Sequence, residues 1–381
     1  MQVTRLDIRH LRRFDQVQLS PTPGLNVLVG DNGAGKTSVL EALHLMAYGR
    51  SFRGRVGDGL VRHGAPALEV FVEWRERAGT AGDPPRSGSA QPPGAADSLR
   101  TRKAGLRHAG RDWEGRLDGS AVAQLGELCA ALAMVTFEPG SHALVSGPGE
   151  VRRRYLDWGL FHVEPTFLAL WRRYSRALKQ RNALLKARAG DSQLDAWDRE
   201  LAEAGEPLGR HRQQYLESLQ PGFSRLAAEL APTLGQLQLH YHPGWRRDEL
   251  SLADALLLSR QRDLQSGFTS VGPHRADWRT GFSTLPGREA LSRGQAKLTA
   301  LVALLAQAEF HAASRGEWPI IGFDDLASEL DRKHQARVLR WLAASPAQVF
   351  VTGTEAPTML DGPDVASSLF HVEQGQIQQI R

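Results

Sequence analysis

Gly30-Asp31-Asn32-Gly33-Ala34-Gly35-Lys36-Thr37 is a complete G-x-x-x-x-G-K-[ST] segment, and the apolar run Leu25-Asn26-Val27-Leu28-Val29 leads directly into it. From Thr37 the spacing turns helical, with Val39, Leu40, Leu43, Leu45 and Met46 ahead of Gly49. Strand, glycine-rich loop and helix in that order make a phosphate cradle. The glycines let successive backbone N–H groups curl around phosphate oxygens, and the helix N-terminus adds its dipole. In such a P-loop Lys36 neutralises β- and γ-phosphate charge and the Thr37 hydroxyl ligates Mg²⁺. The expected nucleotide contacts are therefore Gly30, Asp31, Asn32, Gly33, Ala34, Gly35, Lys36 and Thr37, with Mg²⁺ as the accompanying ion.

Upstream, Val3, Leu6 and Ile8 precede a polar turn at Arg12 and Arg13, after which Val17 and Leu19 alternate with Gln16 and Gln18. Downstream, Leu68 to Trp74 reads as a strand and Leu99 to Leu117 as strand with turns. The Gly-, Pro-, Ala- and Ser-rich stretch between them, about 78–98, is expected to be a disordered hairpin loop. Pro165 to Leu230 is helical: Phe167, Leu170, Trp171, Tyr174, Leu178, Leu184 and Leu185 recur every three or four residues. The break at Ala189-Gly190-Asp191 turns this into an antiparallel arm. Trp171 and Trp197 are expected to pack internally.

After Gly267 the α/β pattern returns. A helix from Ser292 to Ala312 leads into Ile320-Ile321-Gly322-Phe323, a buried strand dented by its glycine, which ends in the pair Asp324-Asp325. In a P-loop ATPase the first carboxylate reaches Mg²⁺ and the second orients or deprotonates the attacking water. Asp324 is accordingly the metal-site acid and Asp325 the catalytic base. A further strand, Gln348 to Val351, ends at Thr352.

Length and composition agree with a folded protein of two domains, or of one domain carrying a large insertion: 381 residues, 41% hydrophobic and 23% charged. No apolar run spans a bilayer and the first residues do not read as a signal peptide, so a cytoplasmic protein without membrane contact is expected. The lone Cys129 leaves no thiolate set for zinc, and the 13 histidines show no ligand spacing, with His274 set apart only by its context. Net charge is +5, with 47 basic residues of which only six are lysine. That arginine excess fits codon bias and phosphate binding alike.

Leu291-Ser292-Arg293-Gly294-Gln295 resembles the Leu-Ser-Gly-Gly-Gln signature of the ATP-binding-cassette superfamily, and Ser328-Glu329-Leu330-Asp331 resembles its dimer-contact loop. The 254 residues from Thr37 to Leu291 exceed transporter cassettes and match heads that carry helical arms. Three segments are similar to the RecF family of bacterial recombination proteins. They are Phe137 to Asp157, ending in Arg152-Arg153-Arg154-Tyr155-Leu156-Asp157; Gly272-Pro273-His274-Arg275-Ala276-Asp277; and Asp324 to Asp331. Gly140, Pro148 and Ala276 depart from that pattern, and no switch histidine follows Val351, where Thr352 or Thr354 stands.

The resemblance implies an α/β, P-loop ATP-binding-cassette-type head with an inserted helical lobe. Its parts would be 1–135 (lobe I, N-terminal part), 136–266 (helical lobe II with arm) and 267–381 (signature, acidic pair and dimer-contact loop). It further implies an ATP-dependent DNA-binding protein of recombinational repair and replication-fork maintenance. Such a protein acts at gapped DNA, helps to load recombinase and hydrolyses ATP slowly in a nucleotide-sandwiched homodimer. There Ser292, Gly294 and Gln295 of one copy would close on the nucleotide of the other, with Ser292 joining Lys36 and Asp325 in catalysis, and RecR and RecO would be partners. Sequence-independent DNA contact is expected from Arg173, Lys179 and Lys186 on the polar side of the first long helix, where Arg172 and Arg181 also fall, while Arg152 and Arg153 are read as internal hydrogen-bond partners. The competing readings are a transporter ATPase subunit and a nucleotide-gated clamp without useful turnover.

Overall fold

The computed structural model describes residues 1–54, 59–77, 99–110, 112–283, 291–356 and 367–381. They divide into two compact units, Met1–Ser141 with Ala303–Arg381, and His142–Val302.

The first unit begins with β1 (Gln2–Arg9), β2 (Gln16–Leu19), β3 (Leu25–Val29), α1 (Lys36–Tyr48), β4 (Leu68–Arg77), β5 (Leu99–Ala109), β6 (Asp112–Leu117), β7 (Ser120–Ala121), α2 (Leu125–Ala131) and β8 (Met134–Phe137). One sheet is antiparallel, in the order β2-β1-β4-β5-β6-β7. Its strands alternate as sequence demands of a sheet with one wet face: in β4, Leu68, Val70, Val72 and Trp74 are buried while Arg75 and Arg77 are exposed. The register Arg77↔Leu99 makes β4 and β5 a hairpin pair. The loop expected at about 78–98 lies outside the described residues.

The second unit holds α3 (Ala143–Ser146), α4 (Gly149–Val163), α5 (Phe167–Lys186), α6 (Asp191–Leu230), β9 (Leu237–His242), α7 (Leu252–Ser266) and β10 (Asp277–Phe282). The helix α8 (Arg293–Arg315) supplies residues to both units. Tyr174, Ala177, Arg181 and Leu185 form the buried stripe of α5, which runs antiparallel to α6. Gly205 of α6 is where the helices approach: a Cβ there would lie 2.9 Å from Tyr174 and 2.5 Å from Leu252. Trp171, expected inside, is 39% exposed because it falls off this stripe.

Arg181 is not on the polar side of α5 but fully buried. It donates to Asp198, to Asp263 (2.7 Å) and to Thr269 (2.9 Å), and this charge pairing is what admits a guanidinium into the core. The family-like segment is internal as well. Arg152 grips both carboxylate oxygens of Asp277 (2.6 and 3.0 Å) and the Gly147 carbonyl (2.8 Å), while Arg153 donates to the Ala276 carbonyl. His274 accepts from the Tyr174 hydroxyl at Nδ1 (2.7 Å) and donates from Nε2 to the Thr269 carbonyl (2.8 Å). Burial lowers its pKa to about 4, so it serves here as a neutral structural linker.

The first unit closes with β11 (Ile320–Phe323), α9 (Leu326–Glu329), α10 (Arg332–Ala344), β12 (Val349–Gly353), β13 (Ser367–Glu373) and β14 (Gln376–Gln379). Its second sheet has the order β14-β13-β3-β12-β11-β8, and the five strands from β13 to β8 are mutually parallel. Covered on both faces, β3, β8, β11 and β12 are buried end to end, which is why they read as unbroken apolar runs. Asn26, the polar exception in β3, donates to the Thr22 and Gly24 carbonyls and accepts from the Thr22 amide. The strand at Gly322 is regular rather than dented. It pairs on both sides, and the missing side chain leaves room for Met134 and Leu40, whose nearest atoms lie 2.6 and 3.3 Å from a would-be Cβ.

Candidate nucleotide site

In a parallel sheet, side chains that follow the strands converge at the carboxyl edge. Here β12 lies between β3 and β11, so the loop after β3, the end of β12 and the acidic pair after β11 come together. The loop's backbone requires glycine: φ is +148° at Gly30, +80° at Gly33 and +122° at Gly35. A Cβ on Gly30 would lie 2.1 Å from the Val372 carbonyl oxygen, and one on Gly35 would lie 3.0 Å from the Phe14 ring.

Lys36 opens α1, is nearly buried, and donates from Nζ to the carbonyls of Gly30 (2.6 Å) and Asp31 (2.8 Å). Burial lowers its pKa from the usual lysine value, against the pull of Asp325, Asp31 and Asp324. Thr37 donates from Oγ1 to Asp324 Oδ1 at 2.7 Å. Thr352 donates to the same oxygen at 2.9 Å and accepts from the Asp325 amide at 2.9 Å, so a single hydroxyl ties the two acids together. Asp324 is 5% exposed; burial raises its pKa, while the Thr37 and Thr352 hydrogen bonds pull the other way.

Asp325 stands at φ +53°, ψ +50°, ahead of α9, without capping it. A left-handed non-glycine costs on the order of 1–3 kcal/mol, the kind of strain that persists where a side chain must be aimed. Its carboxylate has no hydrogen-bond partner among the described residues. A partly buried acid left unengaged beside a lysine and a second, engaged acid is chemically available as a proton acceptor.

The geometry thus brings together Gly30 to Thr37, Asp324 and Asp325. It also adds residues that sequence reasoning passed over. The guanidinium of Arg13 lies 3.6–3.7 Å from a would-be Cβ on Gly33, over the loop. Arg53 acts electrostatically on Asp324 and lies 4.0 Å from Glu41, a fully buried carboxylate that also accepts from Arg12 (2.7 and 3.0 Å) and from Ser51. Of the two threonines that stand where a switch histidine would, Thr352 is buried and committed to the acids and Thr354 is exposed. A polar residue closing an apolar parallel strand next to the loop strand was the available signal for Thr352.

Ser292, Arg293 and Gly294 are exposed at the start of α8. Ser292 and Gln295 satisfy one another reciprocally, with the Ser292 amide donating to the Gln295 side chain (2.9 Å) and the Gln295 amide to the Ser292 hydroxyl (3.2 Å), a capping box that holds the signature in shape. On α5, Lys179 and Lys186 are exposed, and Arg173 is engaged by Glu200 (2.7 and 2.8 Å) and Glu203 (2.6 Å) of α6.

The fit to a magnesium nucleotide follows from these donors. A buried ammonium held against loop carbonyls, positive-φ glycines with no room for side chains, and a threonine hydroxyl beside a carboxylate suit phosphate oxygens and a hard cation that keeps most of its ligands as water and phosphate. Among the described residues no three His, Cys, Asp or Glu side chains form a metal cluster of their own.

Comparison with known proteins agrees with this geometry. The family described as RecF/RecN/SMC N terminal domain matches residues 2–378. The chain is 67% identical over 377 residues to the DNA replication and repair protein RecF of Stenotrophomonas maltophilia (strain R551-3), covering 99% of each chain. It is 37% identical over 383 residues to the protein of the same description from Pseudomonas aeruginosa (strain LESB58), covering 100% of this chain and 98% of that one. Among solved structures, the recombination mediator protein RecF-ATPrS in the RecFOR pathway aligns with a TM-score of 0.81 at 25% identity, over 100% of this chain and 98% of that one. An Smc head bound to the C-winged helix domain of ScpA shares the fold alone, with a TM-score of 0.59 at 15% identity over 100% of this chain and 97% of that one. By sequence, by fold and by the residues at the carboxyl edge of its parallel sheet, the chain belongs to the RecF family of DNA replication and repair proteins, built on the ABC-type ATPase head.

Proposed function

We propose that the chain binds ATP with Mg²⁺ and hydrolyses it slowly, and that nucleotide state controls its sequence-independent binding to gapped DNA in the cytoplasm, where it assists recombinase loading with the mediators RecR and RecO. The observation that carries this reading is the Thr37–Asp324–Thr352 cluster with the unengaged Asp325 carboxylate beside it. The similar RecF structures whose descriptions carry ATPrS or ATP support the choice of nucleotide.

In this reading the amides of Gly30 to Gly35 and the Lys36 ammonium hold the phosphates, and Thr37 and Asp324 hold the cation, whose charge offsets that of the phosphate oxygens when bound. Asp325 takes a proton from water as its oxygen attacks the γ-phosphorus and the bond to the β–γ bridging oxygen breaks. Desolvated in its pocket, Lys36 interacts with phosphate more strongly than a surface lysine does. Lys36→Met removes that charge and leaves the Gly30 and Asp31 carbonyls without their donor, so ATP affinity is expected to fall at least about thirtyfold, from the ~2–5 kcal/mol typical of losing one partner of a buried charge contact. Titration with a fluorescent nucleotide measures this. Near-parental affinity in a folded Lys36→Met protein would reject the site.

The active form is proposed to be a homodimer in which Ser292, Gly294 and Gln295 of one copy close on the γ-phosphate held by the other. The capping box leaves the signature exposed and preformed for such an encounter. Ser292→Arg places bulk and charge there and breaks the box. ATP is expected to bind the variant normally, while sedimentation with ATP shows monomers. An ATP-dependent dimer of parental strength would remove the signature from the interface.

DNA contact through Arg173, Lys179 and Lys186 remains part of the proposal. Lys179 and Lys186 are solvent-facing, whereas Arg173 must leave Glu200 and Glu203 to reach a phosphate.

A further inference from the structure

The helix α10 follows the acidic pair and the Ser328-Glu329-Leu330-Asp331 segment, and Asp331 caps it by accepting from the His334 amide at 2.9 Å. Its thirteen residues, Arg332 to Ala344, include Arg332, Lys333, Arg337 and Arg340 and no aspartate or glutamate. At about 100° per residue, Lys333, Arg337 and Arg340 fall within an arc of roughly 60°. Val338, Leu339 and Leu342 are buried on the far side of the helix, so this arc is the solvent face, with Lys333 and Arg340 exposed and Arg337 half-buried.

Elsewhere in the chain some surface cations are answered by an acid, as Arg173 is by Glu200 and Glu203, Arg154 by Glu150 and Arg107 by Glu69 and Glu114, while others, such as Lys179 and Lys186, make no ion pair among the described residues. On α10 only His334 is answered, by Asp331. Lys333, Arg337 and Arg340 make no ion pair among the described residues. Three like charges lined up over about 10 Å of helix, with neighbours at i,i+4 and i,i+3, repel one another, and no acid on the helix offsets that cost. A linear polyanion repays it. Duplex DNA carries one phosphate per 3.4 Å of rise on each strand, so a row of this length faces consecutive phosphates of one strand.

We infer that the Lys333–Arg337–Arg340 stripe of α10 is a contact surface for the phosphate backbone of DNA. This rests on the DNA-binding reading above and assigns it a surface on the unit that holds the phosphate loop, beginning eight residues beyond Asp325. Contacts of this kind position without reading sequence, and each adds its share to the salt dependence of binding.

The test compares the full-length protein with the variant Lys333→Gln/Arg337→Gln/Arg340→Gln, using gapped duplex DNA of mixed sequence with ATP over a series of salt concentrations. Loss of three phosphate contacts makes the slope of log affinity against log salt shallower by about 2.7. The charge-keeping variant Lys333→Arg/Arg337→Lys/Arg340→Lys is expected to retain the parental slope, which separates charge from helix integrity. ATP titration checks that the Gln variant is folded, since none of the three residues belongs to the nucleotide site. A parental slope in the Gln variant would overturn the inference and leave the stripe to an acidic protein partner. So would a loss of slope confined to Lys179→Gln/Lys186→Gln, which would place DNA on α5. If the parental protein itself shows no salt-dependent DNA binding, the functional reading falls with it, and the two failures are told apart by that control.

Discussion

Asp325→Asn is expected to bind ATP within a few-fold of the parental affinity and to lose about 10²–10⁴-fold in turnover, the usual contribution of a positioned general base. The substitution is unusually clean at this position. Asp325 sits at φ +53°, where asparagine is one of the few other side chains that tolerate the left-handed region, so the backbone ahead of α9 keeps its course. The amide that Asp325 donates to Thr352 belongs to the main chain and survives, so the Thr37–Asp324–Thr352 cluster stays assembled. What disappears is a carboxylate with no hydrogen bond to lose. Single-turnover hydrolysis and a nucleotide titration on the same preparation separate the two quantities. A parental hydrolysis rate would reduce Asp325 to a structural residue. Asp325→Ala is the less informative variant, because alanine at this φ adds a backbone penalty of about 1 kcal/mol to whatever chemistry is lost.

Arg181→Leu is expected to destabilise the helical unit by about 3–5 kcal/mol, because removing one member of a buried ionic network leaves the others desolvated and uncompensated. Arg181 is fully buried and bonds Asp198, Asp263 and Thr269. Asp198 keeps Arg260 (2.7 Å) and Asp263 keeps its hydrogen bonds from Ser259 and Ser270, but Asp263 is wholly buried and pairs with no second cation among the described residues. Chemical denaturation measures the loss. The triple variant Arg181→Leu/Asp198→Leu/Asp263→Leu should recover much of it, since apolar residues of similar volume often replace buried ion networks at little cost. A loss below about 1 kcal/mol for Arg181→Leu would mean that the network is hydrated and contributes little.

These two residues also mark the border between what could be read directly and what could not. The phosphate loop was legible because its function is local: eight consecutive residues, glycines where φ must be positive, and a lysine and threonine at the first turn of a helix. The acidic pair was legible because a buried strand of four apolar residues ended in it. Arg181 is not told from its neighbours in sequence because six cations on one helix look alike, and which of them faces the core depends on where Asp198 and Asp263, 17 and 82 residues away, are brought by folding.

By itself the sequence determined the phosphate-loop motif, the acidic pair, the helical insert and the family, since each is written in contiguous motifs whose spacing constrains the backbone. Only the tertiary structure decided the order β14-β13-β3-β12-β11-β8, which sets β13 beside β3 although some 340 residues separate them, and closes the sheet's other edge with β8. That order placed Thr352 between the two halves of the site and left Asp325 unengaged. In the other unit, helix packing set Arg173 of α5 against the acids of α6. Strand pairing and side-chain facing are long-range contacts. Short apolar strands such as Met134–Phe137 and scattered arginines carry no local mark of their partners, and the choice is made by which arrangement buries the most apolar surface while leaving the fewest charges unpaired.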